Sequence, residues 1–512
     1  MMMFKVSFCR SILLFSAVLW ATTVAAVEDT ANARPNILLL LTDDQDVVLG
    51  SFDHMPHVKA LLQDQGMTFV NGFVHTPICC PSRSSIMTGR YLHHCGVHNN
   101  SIAGNCYGQE WIENMESDHT FAVHAQAAGY TTAYTGKYLN QYGYQQSMAV
   151  PEGWDHWLGL VGNSQYYHYT LIKGGTNQTA KRIKHKDRYP QDYLPSVMNQ
   201  QVLQWMKELP EPWLIVAAWP TPHGPFTPAP WANGTMTDHH PPLTENYNAS
   251  DHFMQQKHWI MRQLHPINAE TASSVDRYYQ MRLEALKSVD SHVAEMVETL
   301  QSDSQLDHTV ILYSSDNGFQ FGQHRLSMDK RHLYENDIRV PFCMRGPGIP
   351  ANTKSTAIVA NIDIAPTIME IAQAPSDSKM DGISFWKYAR GKSDPPFTRR
   401  RDLLITYNGE GRSPCGMSEC PFSWDKPLWM PDCFNNTYHC VRTLDGETED
   451  SIYCRFVDDE DFVEYYDLQT NPYQLDNDIS KLDAVQRQRY EHRLQELLQC
   501  QGATCWPEKP LT

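Results

Sequence analysis

The chain has 512 residues, of which 41% are hydrophobic and 19% are charged, as in an ordinary globular protein. Its 41 lysines and arginines stand against 58 aspartates and glutamates, which gives a net charge of −17. Proteins that bind nucleic acid usually carry a basic surplus, so this balance argues against a nucleic-acid partner. Binding of any anion must therefore depend on a local cluster of cations.

The first 26 residues predict a secretory signal peptide. Lys5 and Arg10 form a basic start, residues 11–20 form a short apolar core, and small residues at 24–26 suit cleavage. The core is short for a membrane span, and no later stretch is apolar for long enough to predict one. We therefore expect a protein of the secretory pathway, in the lysosome or outside the cell. Five glycosylation sequons fit that route: Asn99, Asn177, Asn233, Asn248 and Asn435.

Most of the 13 cysteines lie in the C-terminal part of the chain. Cys9 is removed with the signal peptide, and Cys500 and Cys505 lie near the end. Five more lie close together: Cys415, Cys420, Cys433, Cys440 and Cys454. In an oxidising compartment these cysteines predict disulfides. A zinc cluster is the alternative, but the spacing lacks paired C-x-x-C motifs.

Buried strands alternate with helices along the first 374 residues. Segments with the pattern of buried strands are 37–41, 131–135, 213–219, 309–313 and 358–360. Apolar residues at helical spacing predict helices over 278–300 and 363–374. This alternation predicts an α/β fold with a mostly parallel central sheet flanked by helices. In such sheets ligands bind beyond the carboxyl ends of the strands.

The composition of the sequence changes near residue 390. The stretch GKSDPPFTRRR combines two prolines with a basic run, as a linker does. We therefore predict a catalytic domain over 27–390 and a smaller α+β domain over 391–512. A terminal helix is expected over about 481–498.

Acidic residues follow two of the predicted strands directly. Asp43 and Asp44 follow the first strand, and Asp316 and Asn317 follow another. Their oxygens are the hard donors that Ca²⁺ and Mg²⁺ prefer. Either pair alone is more simply a helix cap or a turn. Because both pairs stand at strand ends of one sheet, together they favour a metal site.

Four cationic side chains occupy similar positions. Arg83, Lys137, His223 and Lys330 each lie beside glycine or proline, or shortly after an acidic strand end. Singly, such residues are usually solvated or structural. Together they indicate an anion-binding pocket with a metal at its floor, which suits cleavage of sulfate or phosphate esters.

The stretch CCPSRSSIMTGR, residues 79–90, contains the candidate nucleophile. It is not a tyrosine-phosphatase loop, because no arginine stands six positions after either cysteine. It is also not a glycine-rich phosphate loop. From residue chemistry alone, it indicates a cysteine that is either reactive or buried.

This stretch resembles the signature C-x-P-S-R-x-x-x-(L/M)-T-G-R of the formylglycine-dependent sulfatases, from Cys79 to Arg90. Similar blocks follow the family order: LLLTDDQD, TGKYLNQYG, TPHGPF and YSSDNGFQFGQHRLSMDKR. The similarity spans about residues 34–374, and YYDLQTNPYQLDN resembles the family's C-terminal segment. The resemblance implies an alkaline-phosphatase-like core and hydrolysis of sulfate esters.

The resemblance also implies a role for each matched residue. A formylglycine-generating enzyme would oxidise Cys79 to formylglycine, whose hydrated aldehyde supplies the attacking hydroxyl. Arg83 would hold that group in place. The residues that would bind the sulfate and assist departure of the leaving oxygen are Lys137, His223 and Lys330. Ca²⁺, in preference to Mg²⁺, would be held by Asp43, Asp44, Asp316, Asn317 and the modified Cys79.

The resemblance leaves two questions open at the edge of this site. Many arylsulfatases have a histidine two positions after the lysine, where this chain has Leu139. His324 is a candidate for the missing support, with a structural role as the alternative. Arg90 is expected to support the signature loop.

Within the family, the blocks most resemble the branch that acts on sulfated glucosamine in glycosaminoglycans. This implies a sulfated saccharide as substrate, with the 6-O-sulfate of N-acetylglucosamine favoured. The alternatives are a broad arylsulfatase, a phosphate or phosphonate ester hydrolase on the same scaffold, and an inactive sugar-binding relative.

Conversion of Cys79 would leave an odd number of cysteines in the mature chain, so at least one is unpaired. Cys80, beside the pocket, is the first candidate for that cysteine, with a disulfide as the alternative.

Overall fold

A computed structural model describes residues 34–144, 148–176, 178–392, 401–410, 432–446 and 448–506. The predicted signal peptide lies outside the described residues, as do Asn177, Cys415 and Cys420.

The main element is a ten-stranded sheet. Its strands are β1 (Asn36–Thr42), β2 (Met67–Phe73), β3 (Thr131–Lys137), β4 (His156–Leu160), β5 (Thr170–Gly175), β6 (Gln178–Lys184), β7 (Trp213–Ala218), β8 (Thr309–Ser315), β9 (Phe342–Arg345) and β10 (Thr353–Ala360). Their spatial order is β10-β2-β9-β8-β1-β7-β3-β4-β5-β6. Strands β8, β1, β7, β3 and β4 run parallel, as do β10 and β2, whereas β9 and β5 run antiparallel to their neighbours. The prediction of a mostly parallel α/β sheet is confirmed.

Strand β1 lies at the centre because both of its faces are apolar. Every residue of β1 is buried, and it pairs with β7 on one side and β8 on the other. Ile37, Leu39 and Leu41 enter one hydrophobic core, and Leu38 and Leu40 enter the core on the opposite face. A continuous aliphatic run is therefore the sequence pattern of a doubly covered parallel strand.

Helices cover both faces of this sheet. The α-helices of the described residues are α1 (Pro56–Val58), α2 (Cys79–Thr88), α3 (Leu92–Cys95), α4 (Gln109–Trp111), α5 (Phe121–Ala127), α6 (Leu194–Glu208), α7 (Asp251–Met254), α8 (Trp259–Arg262), α9 (Ala269–Ser302), α10 (Glu335–Ile338), α11 (Ile364–Ala372), α12 (Trp386–Ala389) and α13 (Ala484–Gln499). The three predicted helices correspond to α9, α11 and α13. No helix in the described part of the chain combines the length and apolar character needed to cross a membrane.

A second, four-stranded sheet is antiparallel. Its strands, in spatial order, are β11 (Asp402–Tyr407), β12 (Tyr438–Asp445), β13 (Glu449–Phe456) and β14 (Val463–Asp467). Leu494 and Leu497 of α13 share a core with this sheet, and Phe73 and Ile358 of the large sheet belong to the same core. The division of the chain at residue 390 stays a prediction.

The structure corrects the prediction for Cys80. Cys80 forms a disulfide with Cys106, which bonds the start of α2 to the loop before α4. Among the described cysteines, those with free thiols are Cys79, Cys95 and Cys343, and all three are buried. The adjacency of Cys79 and Cys80 in the sequence could not show that the loop with Cys106 returns to the start of α2. The C-terminal prediction of disulfides is confirmed for the pairs Cys440–Cys454 and Cys500–Cys505, and Cys433 is disulfide-bonded as well.

Loop length predicts which of two disulfides matters more for stability. The Cys80–Cys106 bond closes a separation of 26 residues, and Cys500–Cys505 closes one of 5. Replacing both cysteines of the first pair by serine should lower the free energy of unfolding by about 3.5 kcal/mol, and of the second pair by about 2 kcal/mol. Denaturant unfolding of both double variants would measure this. A larger loss for the second pair would contradict the loop-entropy argument.

Candidate active site

Polar side chains meet where the parallel strands of the large sheet end. Asp43 and Asp44 follow β1, Asp316 and Asn317 follow β8, and Lys137 is the last residue of β3. Because these strands run in one direction, their carboxyl ends meet at one edge of the sheet. The predicted site residues from three distant segments therefore lie together.

The acidic residues contact one another directly. The backbone N–H of Asp44 donates to Oδ1 of Asp316 at 3.0 Å, and Nδ2 of Asn317 donates to Oδ1 of Asp44 at 2.7 Å. Asp44 reaches this position with a φ of 67°, a left-handed conformation that aspartate tolerates. Oδ1 of Asn317 is buried and accepts no hydrogen bond from any described residue. An oxygen acceptor is thus left available beside the carboxylates.

Cys79 is the first residue of α2, at the head of a helix whose ten residues are all buried. The helix is capped by Gly89, whose φ of 68° is a left-handed conformation that favours glycine. The Sγ atom of Cys79 lies 3.9 Å from Oδ1 of Asp43. The ligand atoms of Cys79, Asp43, Asp44 and His223 all lie within 4.8 Å of one another. Burial raises the pKa of the Cys79 thiol to about 11.

Three cations neutralise this acidic cluster. Arg83, one helical turn after Cys79, donates from Nε to Asp316 at 2.7 Å and from Nη1 to the carbonyl of Lys137 at 2.7 Å. Nζ of Lys137 lies 2.7 Å from Asp43, and Lys330 forms an ion pair with Asp44. Burial opposes ionisation of Asp43, but Lys137, His223 and Arg83 outweigh it and hold its pKa well below the usual range.

His223 is held in a fixed orientation by its neighbours. Its Nδ1 donates to the carbonyl of Gly224 at 2.7 Å, which leaves Nε2 pointing toward Asp44, 3.8 Å from Oδ2. The hydroxyl of Tyr166 donates to the carbonyl of His223 at 2.9 Å and holds the loop. Nε2 is therefore the atom of this ring that can exchange a proton within the pocket.

Asp44, Cys79, His223 and Lys330 open onto a cavity of about 170 Å³, and the other groups lie behind them. Its lining consists of Asp44, Cys79, Asn100, Asn140, Asn163, His223, Gly224, Phe319, Asp329, Lys330 and Arg331. Next to it, Oγ of Ser164 donates to Asp43 at 2.5 Å. Sequence reasoning missed Asn163 and Ser164, although both follow the buried strand β4, which is the signal that identified Asp43. Asn100, Asp329 and Arg331 carry no such signal.

Leu139 and His324 both lie outside the lining of the pocket. Leu139 is buried in the hydrophobic core, and the next residue, Asn140, is the one that lines the pocket. His324 does not line it. Instead, His324 stacks on Tyr334 with ring centroids 4.0 Å apart, and its Nε2 accepts from Nδ2 of Asn246 at 3.2 Å.

Arg90 also lies apart from the pocket. Its Nη2 donates to Asp377 at 2.8 Å, just after Gly89 ends α2. This contact is consistent with the expected support of the loop.

The residues present suit a hard divalent cation. The carboxylates of Asp43, Asp44 and Asp316 converge there, together with the unpaired Oδ1 of Asn317. Oxygen donors of this kind match Ca²⁺ and Mg²⁺ rather than a thiolate metal site. Cys79 Sγ occupies the position in which the oxygens of a formylglycine side chain would face that ion.

A parallel sheet with acidic strand ends, a cysteine at the first position of a buried helix and buried cations defines a metal-dependent hydrolase of anionic esters. Over residues 35–374 the chain matches the sulfatase family. The chain belongs to this family, whose members are sulfuric ester hydrolases. It is 40% identical over 487 residues to N-acetylglucosamine-6-sulfatase of Capra hircus, covering 93% of this chain and 85% of the relative.

Two solved structures share the fold. The first, a complex with its substrate D-glucosamine-2-N,6-O-disulfate, has a TM-score of 0.69 and 22% identity and covers 90% of this chain and 97% of its own. The second, the phosphonate monoester hydrolase of Agrobacterium radiobacter, has a TM-score of 0.67 and 17% identity. The match covers 91% of this chain and 95% of the hydrolase chain. At these identities the likeness shows the fold alone, and the alkaline-phosphatase-like architecture is confirmed.

Proposed function

We propose that the chain removes the 6-O-sulfate from N-acetylglucosamine units of glycosaminoglycans. The observation that carries the chemistry is the convergence of Cys79, the acidic cluster and the cations of Lys137 and Lys330 at the carboxyl ends of the parallel strands. The sugar is supported by the 40% identity to a sulfatase of that name.

In this proposal, Cys79 is converted to formylglycine, and a Ca²⁺ ion is held by Asp43, Asp44, Asp316 and Asn317. When bound, the ion supplies positive charge that favours ionisation of the attacking hydroxyl. Calcium fits the all-oxygen donor set, with Mg²⁺ as the less favoured ion. Arg83 donates hydrogen bonds to Asp316 and to the Lys137 carbonyl. It therefore fixes the position of the groups around the nucleophile.

The remaining residues act on the sulfate ester. Lys137 and Lys330 place two ammonium groups where the sulfate oxygens enter, and they stabilise the charge that develops on those oxygens. In its imidazolium form, His223 gives the Nε2 proton to the departing sugar oxygen, because the carbonyl of Gly224 holds the Nδ1 proton. Arg90 supports the end of α2, and His324 has a structural role.

We further propose that the protein matures in the secretory pathway, meets a formylglycine-generating enzyme there, and works in the lysosome or outside the cell. Of the predicted sequons in the described residues, Asn233 is exposed, whereas Asn99, Asn248 and Asn435 are half-buried. Nδ2 of Asn248 donates a hydrogen bond to the carbonyl of Ile267, and Oδ1 of Asn248 accepts one from the backbone N–H of Ile267. Asn233 is therefore the sequon expected to be glycosylated most completely.

The test compares three monoesters: N-acetylglucosamine-6-sulfate, its 6-phosphate analogue and an aryl sulfate. We expect kcat/KM to be highest for the sulfated sugar, because both the pocket cations and the sugar contacts contribute to its transition state. Steady-state kinetics on purified, formylglycine-containing protein would measure this. Preference for the phosphate ester would favour the phosphohydrolase alternative. Activity on the aryl sulfate alone would contradict the sugar assignment.

A further inference from the structure

One edge of the large sheet carries a dense positive charge in a protein whose net charge is −17. Strand β6 is the last strand in the order, and its side chains are largely exposed. We call the following five residues the edge patch: Lys181, Arg182, Lys184, Lys186 and Arg188. Residues 173–192 contain six lysines and arginines against two carboxylates, Asp187 and Asp192.

Most of this charge faces solvent without compensation. Arg188 pairs with Asp192 at 3.2 Å, and Asp187 lies near His168 instead of a lysine of the patch. No carboxylate among the described residues forms an ion pair with Lys181, Lys184 or Lys186. An uncompensated cluster of this size attracts anions and raises their local concentration.

The strand register places the C-terminal end of β6 level with the carboxyl ends of the parallel strands, where the pocket lies. Lys137 of β3 pairs with Leu160 of β4, Leu160 pairs with Leu171 of β5, and Leu171 pairs with Ile183 of β6. These four paired residues form one row across the strands, from Lys137 to Ile183. Lys184 lies one residue beyond that row. Three strand spacings separate the two ends of this row, or about 14 Å.

An exposed aromatic ring lies near both the patch and the pocket. Tyr144 is 55% exposed, and its side chain lies against Gly162, which precedes the pocket residue Asn163. Nη2 of Arg182 donates to the carbonyl of Gly143 at 2.5 Å, so the patch contacts the loop that holds Tyr144.

An exposed aromatic pair joins the residue after the patch to the segment that follows the His223 loop. Trp231 is 50% exposed and Tyr189 is 39% exposed, and the indole N–H donates to the Tyr189 hydroxyl at 2.9 Å. Rings that are rigid, apolar on one face and polar at the tip are typical of binding surfaces.

Edge strands often carry lysines that prevent pairing with another sheet, which would explain Lys181 and Lys184 alone. That role does not extend to Lys186 and Arg188, which follow the end of β6. It also does not account for the exposed Tyr189–Trp231 pair next to them. The positive charge therefore continues beyond the C-terminal end of β6. A surface that binds an extended anion would have this distribution of charge.

We propose that the edge patch is an exosite that binds the sulfated polysaccharide chain beyond the unit whose sulfate is cleaved. This inference rests on the proposed function and extends it from a sugar monoester to a polymer. Sulfate and carboxylate groups of the chain pair with the patch, while the terminal unit occupies the pocket. The overall negative charge of the protein makes such a local cluster necessary for capture of a polyanion.

The test uses the quadruple variant Lys181→Gln, Lys184→Gln, Lys186→Gln and Arg188→Gln. At 0.15 M salt, the dissociation constant for a long heparan sulfate oligosaccharide should rise about tenfold, since each exposed pair contributes a modest amount. KM for desulfation of the same chain should rise in parallel. Because the patch lies outside the pocket, kcat/KM for N-acetylglucosamine-6-sulfate should stay unchanged.

A matched control removes four exposed lysines elsewhere: Lys59, Lys207, Lys354 and Lys379. Equal weakening in this control would overturn the exosite, as would an unchanged dissociation constant in the quadruple variant. Equally tight binding of double-stranded DNA by the wild type would also overturn it, because the patch would then be a general polyanion surface. If loss of the edge lysines causes aggregation, Lys186→Gln/Arg188→Gln, beyond the strand, should still weaken binding about threefold.

Failure of the proposed function would look different from failure of the exosite. Wild-type protein with formylglycine at residue 79 that cleaves neither the monosaccharide nor the chain would contradict the function. The binding comparison would still decide the exosite, since it requires no turnover.

Discussion

Replacing Cys79 by alanine is expected to lower kcat/KM on N-acetylglucosamine-6-sulfate by about 10⁴-fold or more. Cys79 is the side chain at the head of α2 that faces the acidic cluster, with Sγ 3.9 Å from Asp43. Alanine removes the nucleophile but leaves the helix and the carboxylates in place, so the free energy of unfolding should fall by only about 1 kcal/mol. Kinetics and denaturant unfolding on the same preparation would separate the two effects.

Cys95→Ala is the matched control, because Cys95 also carries a buried free thiol. Its Sγ contacts Ser85 instead of the pocket, so activity should be retained at a similar cost in stability. Mass spectrometry of the wild-type peptide containing residue 79 should show formylglycine. Full activity in Cys79→Ala, or in protein whose residue 79 is unmodified cysteine, would contradict the proposed mechanism.

Asp44→Asn is expected to lower kcat/KM by about 10³-fold or more and to release the divalent cation. The Asp44 carboxylate accepts from Asn317, forms an ion pair with Lys330 and lies 3.8 Å from His223. Asparagine keeps the shape of the side chain but removes the charge that holds an ion and aligns Lys330. Metal analysis after dialysis, together with steady-state kinetics, would measure both consequences.

Asp53→Asn provides the control for Asp44→Asn. Asp53 lies on the same connection after β1 but is exposed. Its neutralisation should change neither the metal content nor kcat/KM. Retention of a stoichiometric cation by Asp44→Asn would show that the ion is held elsewhere, and the proposed ligand set would then be wrong.

The central strands could be predicted because their signal is local. The run at 37–41 is apolar on both faces, and such a run is stable only between two helical layers. Polar residues that follow it directly had to lie at the sheet edge, which is why Asp43 and Asp316 could be placed together before any contact was known. The same rule would have found Ser164 after β4, had it been applied to that shorter strand.

Residues whose position depends on a returning loop could not be predicted in this way. Cys80 pairs with Cys106 because the segment after α3 folds back over α2, and nothing in the adjacent cysteines indicates that path. His324 has a left-handed backbone, with φ of 52°, and its ring stacks on Tyr334 away from the pocket. Proximity in sequence to Asp316 therefore did not decide where that side chain lies.

From sequence alone, the strand pattern, the acidic ends and the signature around Cys79 were sufficient to establish a sulfatase with an α/β core. These features depend on the periodicity of burial and on residues within one short segment. Only the tertiary structure could show that Asn140 and not Leu139 faces the pocket, that Cys80 is bonded, and that the charge of β6 stands level with Lys137. Those facts depend on strand register and chain reversal, which are decided by packing among distant segments.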